Sequence, residues 1–405
     1  MTAATSSTSS ASILDDLCAP FLPFNASSSA WSDLTPTPQL ESSSPMCPIL
    51  YNADYSSAMD LYRTLTSSNT STLAQPLSQL ELSPRALALT AHLIKLNPSH
   101  FSVWQYRANI LLHCPALEGN RDEVLRAELA WLDELAHRNM KSYQVWQHRR
   151  LVVSALGEPG RELEFVRENL DRDAKNYHTW GYRQWVLAHF GGLAFPSSTV
   201  DNESGSRGAS QYPSLWDGEL AYIDQLLHQD VRNNSAWNHR WFTLFARYGL
   251  TGSTASTATA HLDLPALQKQ IKFEKAYTKA SLANVPNNAS AWTYLRALHL
   301  SLPAELQSPL SEQLGWAKTM VSSNEEAKRD ASVDTAGKAA VGALEWWFDC
   351  VAERVGGEGA GEREEGLKEA EVLVGRLSVA DPVRRRFYAY RLKSLRRTLQ
   401  STSQT

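Results

Sequence analysis

Five similar segments in the middle of the chain constrain its fold more than any other feature. Each places a tryptophan late in a short polar stretch, as in NMKSYQVWQHR (139–149) and DVRNNSAWNHR (230–240). The tryptophans are Trp104, Trp146, Trp180, Trp237 and Trp292. Four segments also carry an arginine three residues later, and these are Arg107, Arg149, Arg183 and Arg240. We call this recurring tryptophan and arginine pattern the frame.

The spacing of the frame predicts repeats made of helix pairs. Successive tryptophans are 42, 34, 57 and 55 residues apart, and the two long intervals contain small-residue stretches at 197–214 and 251–260. Without them the unit is about 34 to 42 residues long, as in helix-pair repeats. The intervening segments carry apolar residues at helical period, such as Leu125, Leu129 and Leu132. The prediction is an all-α superhelical solenoid of antiparallel helix pairs.

Composition divides the chain into a tail and a repeat domain. Residues 1–45 are rich in Ser, Thr, Pro and Ala and are expected to be disordered, although WSDLTPTPQ from Trp31 is where contact with the body could begin. The helical-repeat domain is predicted over 46–400. Loop insertions are predicted within it at 192–214, 251–264 and 355–365.

Bulk properties exclude several classes of protein. The 405-residue chain has a net charge of −4, so nothing global indicates nucleic-acid binding. The four cysteines are far apart, which argues against a zinc site or a disulfide framework and suits a reducing compartment: Cys18, Cys47, Cys114 and Cys350. No signal peptide and no stretch of about 18 apolar residues is present, so a cytoplasmic protein without a membrane span is expected.

The tryptophan and arginine of the frame are interpreted as structural. Residues three apart lie on one helical face, and a large ring with a guanidinium can lock adjacent helix pairs together. His148 and His239, two residues after their tryptophans, are interpreted in the same way. No glycine-rich phosphate loop, nucleophile elbow or metal-ligand spacing is present, so the chain is not expected to be a self-contained enzyme.

A functional signal appears where the repeats differ. Five residues before each tryptophan only the three central repeats are basic, with Lys141, Lys175 and Arg232. Equivalent positions of a solenoid follow one edge, so these cations are expected to form a ridge. Helix starts, with Ser142, Asn176, Asn233 and Asn288 as N-caps, would add positive dipole ends to the ridge.

Polar groups accompany the first two cations of this ridge. Tyr143 and Tyr177 share one phase and each offers a hydroxyl, while Gln144 and His178 follow them directly and could bind a carboxylate or phosphate oxygens. The pattern fits a ligand of diphosphate size. It equally allows a solvated helix edge, and both interpretations stay open on the pattern alone.

The segments KSYQVWQHRR, DAKNYHTWGYRQWV and DVRNNSAWNHRWF resemble the repeats of protein prenyltransferase α subunits. Their form is similar to the α subunit shared by protein farnesyltransferase and type I geranylgeranyltransferase. The resemblance runs from about Trp31 to about Leu298. It implies a crescent of helical hairpins around a β subunit, and a transferase active only in that heterodimer. The reaction implied is transfer of a farnesyl or geranylgeranyl group to the cysteine of a C-terminal CaaX motif.

The resemblance also implies roles for individual residues. Lys141 would act catalytically by contacting the prenyl diphosphate and assisting its departure. The substrate-binding residues implied are Tyr143, Gln144, Lys175, Asn176, Tyr177 and His178. Gln144 would face the peptide carboxylate and Tyr177 the diphosphate. No cofactor is expected on this chain; zinc would belong to the β subunit and magnesium to the diphosphate. Ser142 departs from the family's usual asparagine, and little loss is expected because either residue can cap a helix.

Two alternatives compete with this interpretation. The α subunit of Rab geranylgeranyltransferase has similar repeats, but the Lys-x-Tyr-Gln-Val-Trp and Lys-Asn-Tyr-His-x-Trp forms favour the CaaX type. A tetratricopeptide-like scaffold would bind partners without any catalysis. The frame differs from the small-residue pattern usual in that repeat.

Overall fold

The part of the chain that a computed structural model describes is mainly α-helical, with irregular segments such as 20–40. That part comprises residues 20–40, 44, 46–47, 49–66, 80–193, 211–245, 248, 250, 263–330, 341–357 and 360–402. Within it lie short 3₁₀ turns and fifteen α-helices: α1 (Ala53–Thr66), α2 (Pro84–Leu96), α3 (Phe101–His113), α4 (Arg121–Arg138), α5 (Tyr143–Leu156), α6 (Glu162–Arg172), α7 (Tyr177–Phe190), α8 (Glu219–Gln229), α9 (Asn234–Leu244), α10 (Leu264–Asn284), α11 (Ala289–Leu300), α12 (Leu314–Asp330), α13 (Val341–Gly357), α14 (Ala360–Ala380) and α15 (Arg385–Thr402). No strand occurs among these residues.

The helices pack as successive antiparallel pairs joined by short connections. Helix α2 packs on α3, α4 on α5, α8 on α9 and α10 on α11, and hydrogen bonds join α6 to α7. The second helix of each pair begins at a frame segment, so the all-α helix-pair prediction is confirmed. The chain divides into two compact units, Met1–Val186 and Leu187–Thr405.

Each frame tryptophan fastens a helix start to the polar segment before it. All five indole Nε1–H groups donate to the backbone carbonyl six residues earlier, at 2.8–2.9 Å. The rings are at most 6% exposed. A buried indole needs a partner for its N–H. In every repeat a carbonyl of this polar segment, which we call the lead-in, supplies that partner. The tryptophan therefore fixes how the lead-in turns into the helix.

Three of the frame arginines each reach a buried glutamate in the next repeat, and Arg183 of α7 donates to the Leu163 carbonyl of α6 at 3.2 Å. Arg107 pairs with Glu128 of α4 through Nε at 2.7 Å and Nη2 at 2.5 Å. Arg149 bonds Glu162 in the same two-pronged way at 2.7 Å, and Arg240 bonds Glu274 at 2.7 and 2.8 Å. These bidentate pairs link one helix pair to the next.

The same acidic positions also bond the second helix of their own repeat. His148 Nε2 lies 2.8 Å from Glu128, and the Tyr294 hydroxyl donates to Glu274 at 2.9 Å. In the other two repeats Tyr182 bonds Glu162 at 2.5 Å and His239 bonds Glu219 at 2.8 Å. The carboxylate is thus shared between two elements. This geometry gives the histidines a place in the repeat interface.

The buried Glu128 carboxylate makes the stability of the first unit depend on pH. Burial by itself would raise its pKa, but the charge of Arg107 and the bonds from His148 and Arg107 hold the pKa at about 2, against an ordinary 4.5. A lowered folded-state pKa gives stability that is complete above pH 4.5 and is lost as pH falls toward 2. We expect the unfolding free energy of the first unit to fall by about 3 kcal/mol over that range. Denaturant titrations at several pH values measure it.

The matched variant for this acid dependence is Glu128→Gln, which does not titrate. Its stability, although lower, should vary less between pH 4.5 and pH 2 than that of the parent chain. Equal slopes in the two proteins would mean that other carboxylates dominate the acid response.

The N-terminal segment differs from the sequence prediction. Residues 1–19 lie outside the described part, but residues 20–40 contact α1 and α2, so disorder over the whole of 1–45 is wrong. Trp31 is 1% exposed, and Arg85 of α2 bonds Asp33 at 2.7 and 2.8 Å. Arg63 of α1 donates to the Thr37 carbonyl at 2.9 Å. The contact extends back beyond Trp31 to Phe21, whose ring stacks on His92 of α2 with centroids 4.5 Å apart, because buried rings outweigh a polar composition.

The predicted loop insertions have different outcomes. The bulk of 192–214 and 251–264 lies outside the described residues. The insertion predicted at 355–365 is wrong wherever its residues are described, because α13 runs to Gly357 and α14 begins at Ala360. Glycines gave this stretch the composition of a loop. However, Glu362 lies in the first turn, where acids favour a helix, and Glu364 pairs with Lys368 four residues on at 2.9 Å.

Candidate functional site

The candidate site lies where α5 and α7 begin, in the first unit. Both lead-ins are tight turns, closed by the Ser142 N–H donating to Asn139 O at 2.9 Å and the Asn176 N–H donating to Asp173 O at 3.0 Å. The indoles of Trp146 and Trp180 then bond the carbonyls inside these turns. The same local sequence therefore gives the same backbone geometry in two neighbouring repeats.

Asn176 joins the two lead-ins. Its Oδ1 caps α7 by accepting from the backbone N–H groups of His178 at 3.0 Å and Thr179 at 3.1 Å. Its Nδ2 donates to Met140 O, in the lead-in of α5, at 3.4 Å. With only 4% of its surface exposed, Asn176 lies inside the joint and not on the exposed edge. Asparagine suits this position because it donates and accepts at once.

The predicted N-caps differ in how they work. Asn233 and Asn288 accept from the two following backbone N–H groups of their helices, as Asn176 does, so these three predictions are confirmed. Ser142 stands at the N-cap of α5 but makes no capping bond, so that prediction is wrong. Its hydroxyl donates instead to Gln144 Oε1 at 3.1 Å. A serine hydroxyl is shorter than an asparagine amide, and here it bonds the neighbouring side chain.

Gln144 is held in place from two sides. Its Oε1 accepts from Ser142, and its Nε2 donates to the carbonyl of Ser99, in the lead-in of α3, at 3.2 Å. A side-chain amide has two N–H groups. The second N–H meets no acceptor among the described residues, so Gln144 can offer one oriented donor to an external oxygen.

Two tyrosines flank one histidine at this edge. The ring of Tyr143 meets His178 edge-on, with centroids 4.3 Å apart and planes at 85°, and Tyr177 lies 5.5 Å away at 80°. The tyrosines are 69% and 77% exposed, whereas His178 is half-buried. Burial lowers the pKa of His178 from its ordinary 6.5, so the imidazole is largely neutral at pH 7. These two tyrosines and the histidine therefore pack together and present two exposed tyrosine hydroxyls.

The cations stand beside these aromatic rings. Lys141 and Lys175 are exposed, and each lies two residues before its helix begins. No acidic side chain of the described residues forms an ion pair with Lys141. Free N–H groups and the dipole of a helix start favour anions at the same place. Arg232 holds the equivalent position before α9, in the second unit.

The structure brings together most residues that the sequence singled out. Exposed at this edge are Lys141, Tyr143, Lys175 and Tyr177, with half-buried Gln144 and His178 behind them. Sequence reasoning missed the carbonyls of Ser99 and Met140, which orient Gln144 and Asn176. Backbone acceptors carry no side-chain signature, so no residue pattern could have indicated them.

The site is an open edge. A cavity of about 330 Å³ lies between α2 and α4, with Phe21, His92 and Trp131 in its lining, but none of the site residues lines it. Among the described residues no group of three or more His, Cys, Asp or Glu side chains could hold a metal ion. No helix in the described ranges is long and apolar enough to cross a membrane.

Comparison with known proteins identifies the repeats. Four stretches, 83–114, 125–156, 159–190 and 216–247, match the family model described as protein prenyltransferase alpha subunit repeat. Each contains one frame tryptophan. In the solved structure of Candida albicans protein geranylgeranyltransferase-I complexed with GGPP, one chain is similar with a TM-score of 0.62 and 26% identity. The match covers 90% of this chain and 98% of that one.

Curated relatives carry names of the same kind. The chain is 35% identical over 270 residues to protein farnesyltransferase/geranylgeranyltransferase type-1 subunit alpha of Pisum sativum, covering 66% of this chain and 65% of the pea protein. The match therefore spans slightly less than two thirds of the pea protein's length. A weaker match, 29% over 222 residues, is the Rattus norvegicus geranylgeranyl transferase type-2 subunit alpha, of which 34% is covered.

The Candida albicans protein named protein farnesyltransferase/geranylgeranyltransferase type-1 subunit alpha is 32% identical over 276 residues, 66% of this chain and 73% of that protein. With this coverage and four matched repeats, the chain belongs to the family of protein prenyltransferase alpha subunits.

Proposed function

We propose that this chain is the α subunit of a heterodimeric prenyltransferase that transfers a farnesyl or geranylgeranyl group to the cysteine of C-terminal CaaX motifs. The observation that carries the proposal is the exposed edge of Lys141, Tyr143 and Tyr177 beside the oriented amide of Gln144. One part of this edge suits a diphosphate and the neighbouring part a carboxylate. The type-1 names of the pea and Candida albicans relatives support the same activity.

Lys141 has the chemistry to assist departure of the diphosphate. As the carbon–oxygen bond to the prenyl group breaks, negative charge grows on the leaving oxygens. A fixed cation stabilises that charge most in the transition state, where it differs most from the ground state. Lys141 does so without transferring a proton. Lys175 adds a second positive charge on the adjacent lead-in.

Tyr143 and Tyr177 would donate hydroxyl hydrogen bonds to the same oxygens. His178 keeps the Tyr143 ring in place through its edge-on contact and, being mostly neutral, adds no charge that would compete with the lysines. Asn176 serves as the joint that sets the separation of the two lead-ins, because both ends of its amide bond the chain. We therefore assign Asn176 a positioning role rather than direct contact with substrate.

Gln144 would receive the C-terminal carboxylate of the CaaX substrate. One N–H of its amide is committed to Ser99 O, which points the other in a fixed direction. Oε1 of Gln144 accepts a hydrogen bond from the Ser142 hydroxyl. This oxygen would repel a carboxylate if it faced outward. The Gln144 amide is therefore oriented to donate a hydrogen bond to the substrate carboxylate.

The open edge needs a second surface to enclose a prenyl chain, which we assign to a β subunit. The nucleophile is the substrate cysteine as a thiolate, which zinc on the β subunit would keep deprotonated, and magnesium would accompany the diphosphate. Cys47, Cys114 and Cys350 are free thiols, which supports a reducing, cytoplasmic location.

Co-expression with a farnesyltransferase-type β subunit tests the proposal. We expect a stable one-to-one complex that prenylates peptides ending in CaaX, with Ser, Met or Leu last, and no transfer by either chain alone. The readout is incorporation of labelled prenyl group into peptide. A complex that forms only with a Rab-type β subunit, and transfers only with an escort protein present, would favour the type-2 alternative instead.

A further inference from the structure

A second surface, outside the proposed site, lies at the turn between α14 and α15. It combines exposed apolar side chains over twelve residues of chain. Val379, in the last turn of α14, is 84% exposed, and Val383 in the 3₁₀ turn Pro382–Arg384 is 91% exposed. Phe387 and Tyr390 of α15 are 49% and 64% exposed. Scattered exposed apolar residues are common, but four around one turn between two helices form a patch. We call these four residues the turn patch.

Cations accompany the turn patch along the outer side of α15. This helix contains no acidic residue. Arg386, Tyr390, Lys393 and Arg397 recur at intervals of four, three and four, so they follow one helical face. Tyr388 and Leu399, on the other side, are buried. The outward face of α15 is therefore aromatic and basic.

The cations of this hairpin fall into two groups, those that pair with acids and those that do not, and the first group includes exposed Arg396 of α15, which pairs with Glu371 of α14 at 2.6 Å. Arg384 bonds Glu345 of α13 at 3.0 Å, and Arg391 pairs with Asp349. The Tyr388 hydroxyl donates to Glu345 at 3.1 Å, which anchors the turn on α13. Within the described residues Arg385, Arg386, Lys393 and Arg397 form no ion pair. The paired side chains hold the hairpin on α13, whereas the unpaired cations remain available to an anionic partner outside the chain.

Helix stability does not explain Arg385 and Arg386. They occupy the first turn of α15, where the helix dipole is positive and a cation is unfavourable. Asp381, the nearest preceding acid, already bonds the Arg384 side chain and the Arg384 backbone N–H. An anionic surface outside the chain would offset this cost, and the chain's net charge of −4 makes the basic patch a local feature.

We propose that the turn patch and the outward cations of α15 dock on an anionic membrane surface. Aromatic and apolar groups that enter the headgroup boundary, with Arg and Lys facing lipid phosphates, are the two components of interfacial binding. An acidic polypeptide would use the cations but gives no role to Val379 and Val383, so the membrane is favoured. The inference goes beyond the proposed function, because it concerns where the enzyme is held.

Vesicle sedimentation tests the docking surface. The full chain, as the complex with its β subunit, is mixed with phosphatidylcholine vesicles or with vesicles that also contain phosphatidylserine. We expect binding to the anionic vesicles only. Each cation near such a surface is worth about a fivefold change in partition, so Arg385→Ala with Arg386→Ala should weaken binding about 25-fold. High salt should weaken the parent chain similarly.

The matched control is Arg126→Ala with Arg138→Ala, which removes the same charge from exposed positions of the first unit. We expect it to bind within about twofold of the parent, because each of these arginines already pairs with a carboxylate, Glu158 or Glu134, and so adds little to the attraction of an anionic surface. Val383→Ser with Phe387→Ser changes no charge and should weaken binding in high salt as well. All variants should prenylate a soluble peptide at the parent rate.

Three results would overturn the docking proposal. The first is equal loss of binding in the two arginine pairs, which would show a general charge effect. The second is binding to polyglutamate but not to anionic vesicles, which would assign the surface to an acidic protein. The third is burial of the turn patch by the β subunit, seen as protection of Val383→Cys from a thiol reagent in the complex only. If no complex forms, the proposed function fails, while the vesicle assay on this chain alone still decides the docking surface.

Discussion

Replacing Lys141 by alanine is expected to lower the rate of prenyl transfer by up to about 10²-fold without disturbing the heterodimer. The lysine is exposed and makes no ion pair with a described residue, so its removal leaves no buried group unsatisfied. Its charge matters most as the diphosphate departs, and the loss should therefore fall on kcat more than on the KM for the peptide. Steady-state kinetics of the purified heterodimer measure the split.

Two variants make the Lys141 result specific. Lys95→Ala removes an exposed lysine at the end of α2 and should leave the rate unchanged. Gln144→Ala should raise the KM for a CaaX peptide with little change in kcat, because its amide binds the carboxylate equally in ground and transition states. Parent-like turnover in Lys141→Ala would remove the catalytic assignment.

Replacing Glu128 by alanine is expected to destabilise the first unit by about 3–5 kcal/mol, because the buried Arg107 guanidinium would lose its carboxylate. Two nitrogens of Arg107 and one of His148 bond this carboxylate, and the Glu128 side chain is only 3% exposed. Denaturant unfolding, followed by helical circular dichroism, measures the change.

Glu134→Ala, on the same helix, is the control for Glu128→Ala. Glu134 is 62% exposed and pairs with Arg138, a surface pair worth about 0.2–1 kcal/mol. The double change Glu128→Leu with Arg107→Leu should recover part of the loss, because it removes both buried charges. Equal destabilisation by Glu128→Ala and Glu134→Ala would show that the buried pair does not link the repeats.

The sequence predicted the helix pairs because one large side chain had to be buried at the same point of every repeat. It also predicted which helix starts would carry the exposed lysines and tyrosines. It did not predict Glu128, Glu162 and Glu274 as the partners of the arginines. These glutamates look like ordinary polar residues of amphipathic helices. Only their position, twenty residues before His148, Tyr182 and Tyr294, distinguishes them.

The fine geometry of the site depends on contacts between repeats, which local patterns do not contain. Ser142 was expected to cap α5 as asparagine would, but its hydroxyl bonds Gln144. Asn176 was expected at the ligand, but it joins two lead-ins. In the same way, glycines at 356–361 indicated a loop where the acidic start of α14 forms a helix. The partner of Asn176 lies in another repeat, whereas local contacts decide the other two positions, the Ser142–Gln144 bond and the Glu364–Lys368 pair.

The shared carboxylates fix the number of residues within each helix hairpin. From the glutamate to the histidine or tyrosine of the same repeat the distance along the sequence is always 20 residues. From an arginine to the glutamate of the next repeat it is 21, 13 or 34. Length can therefore change between hairpins but not within them. Natural insertions, and any tag or reporter domain added by design, should be accepted in the connectors and rejected inside the hairpins.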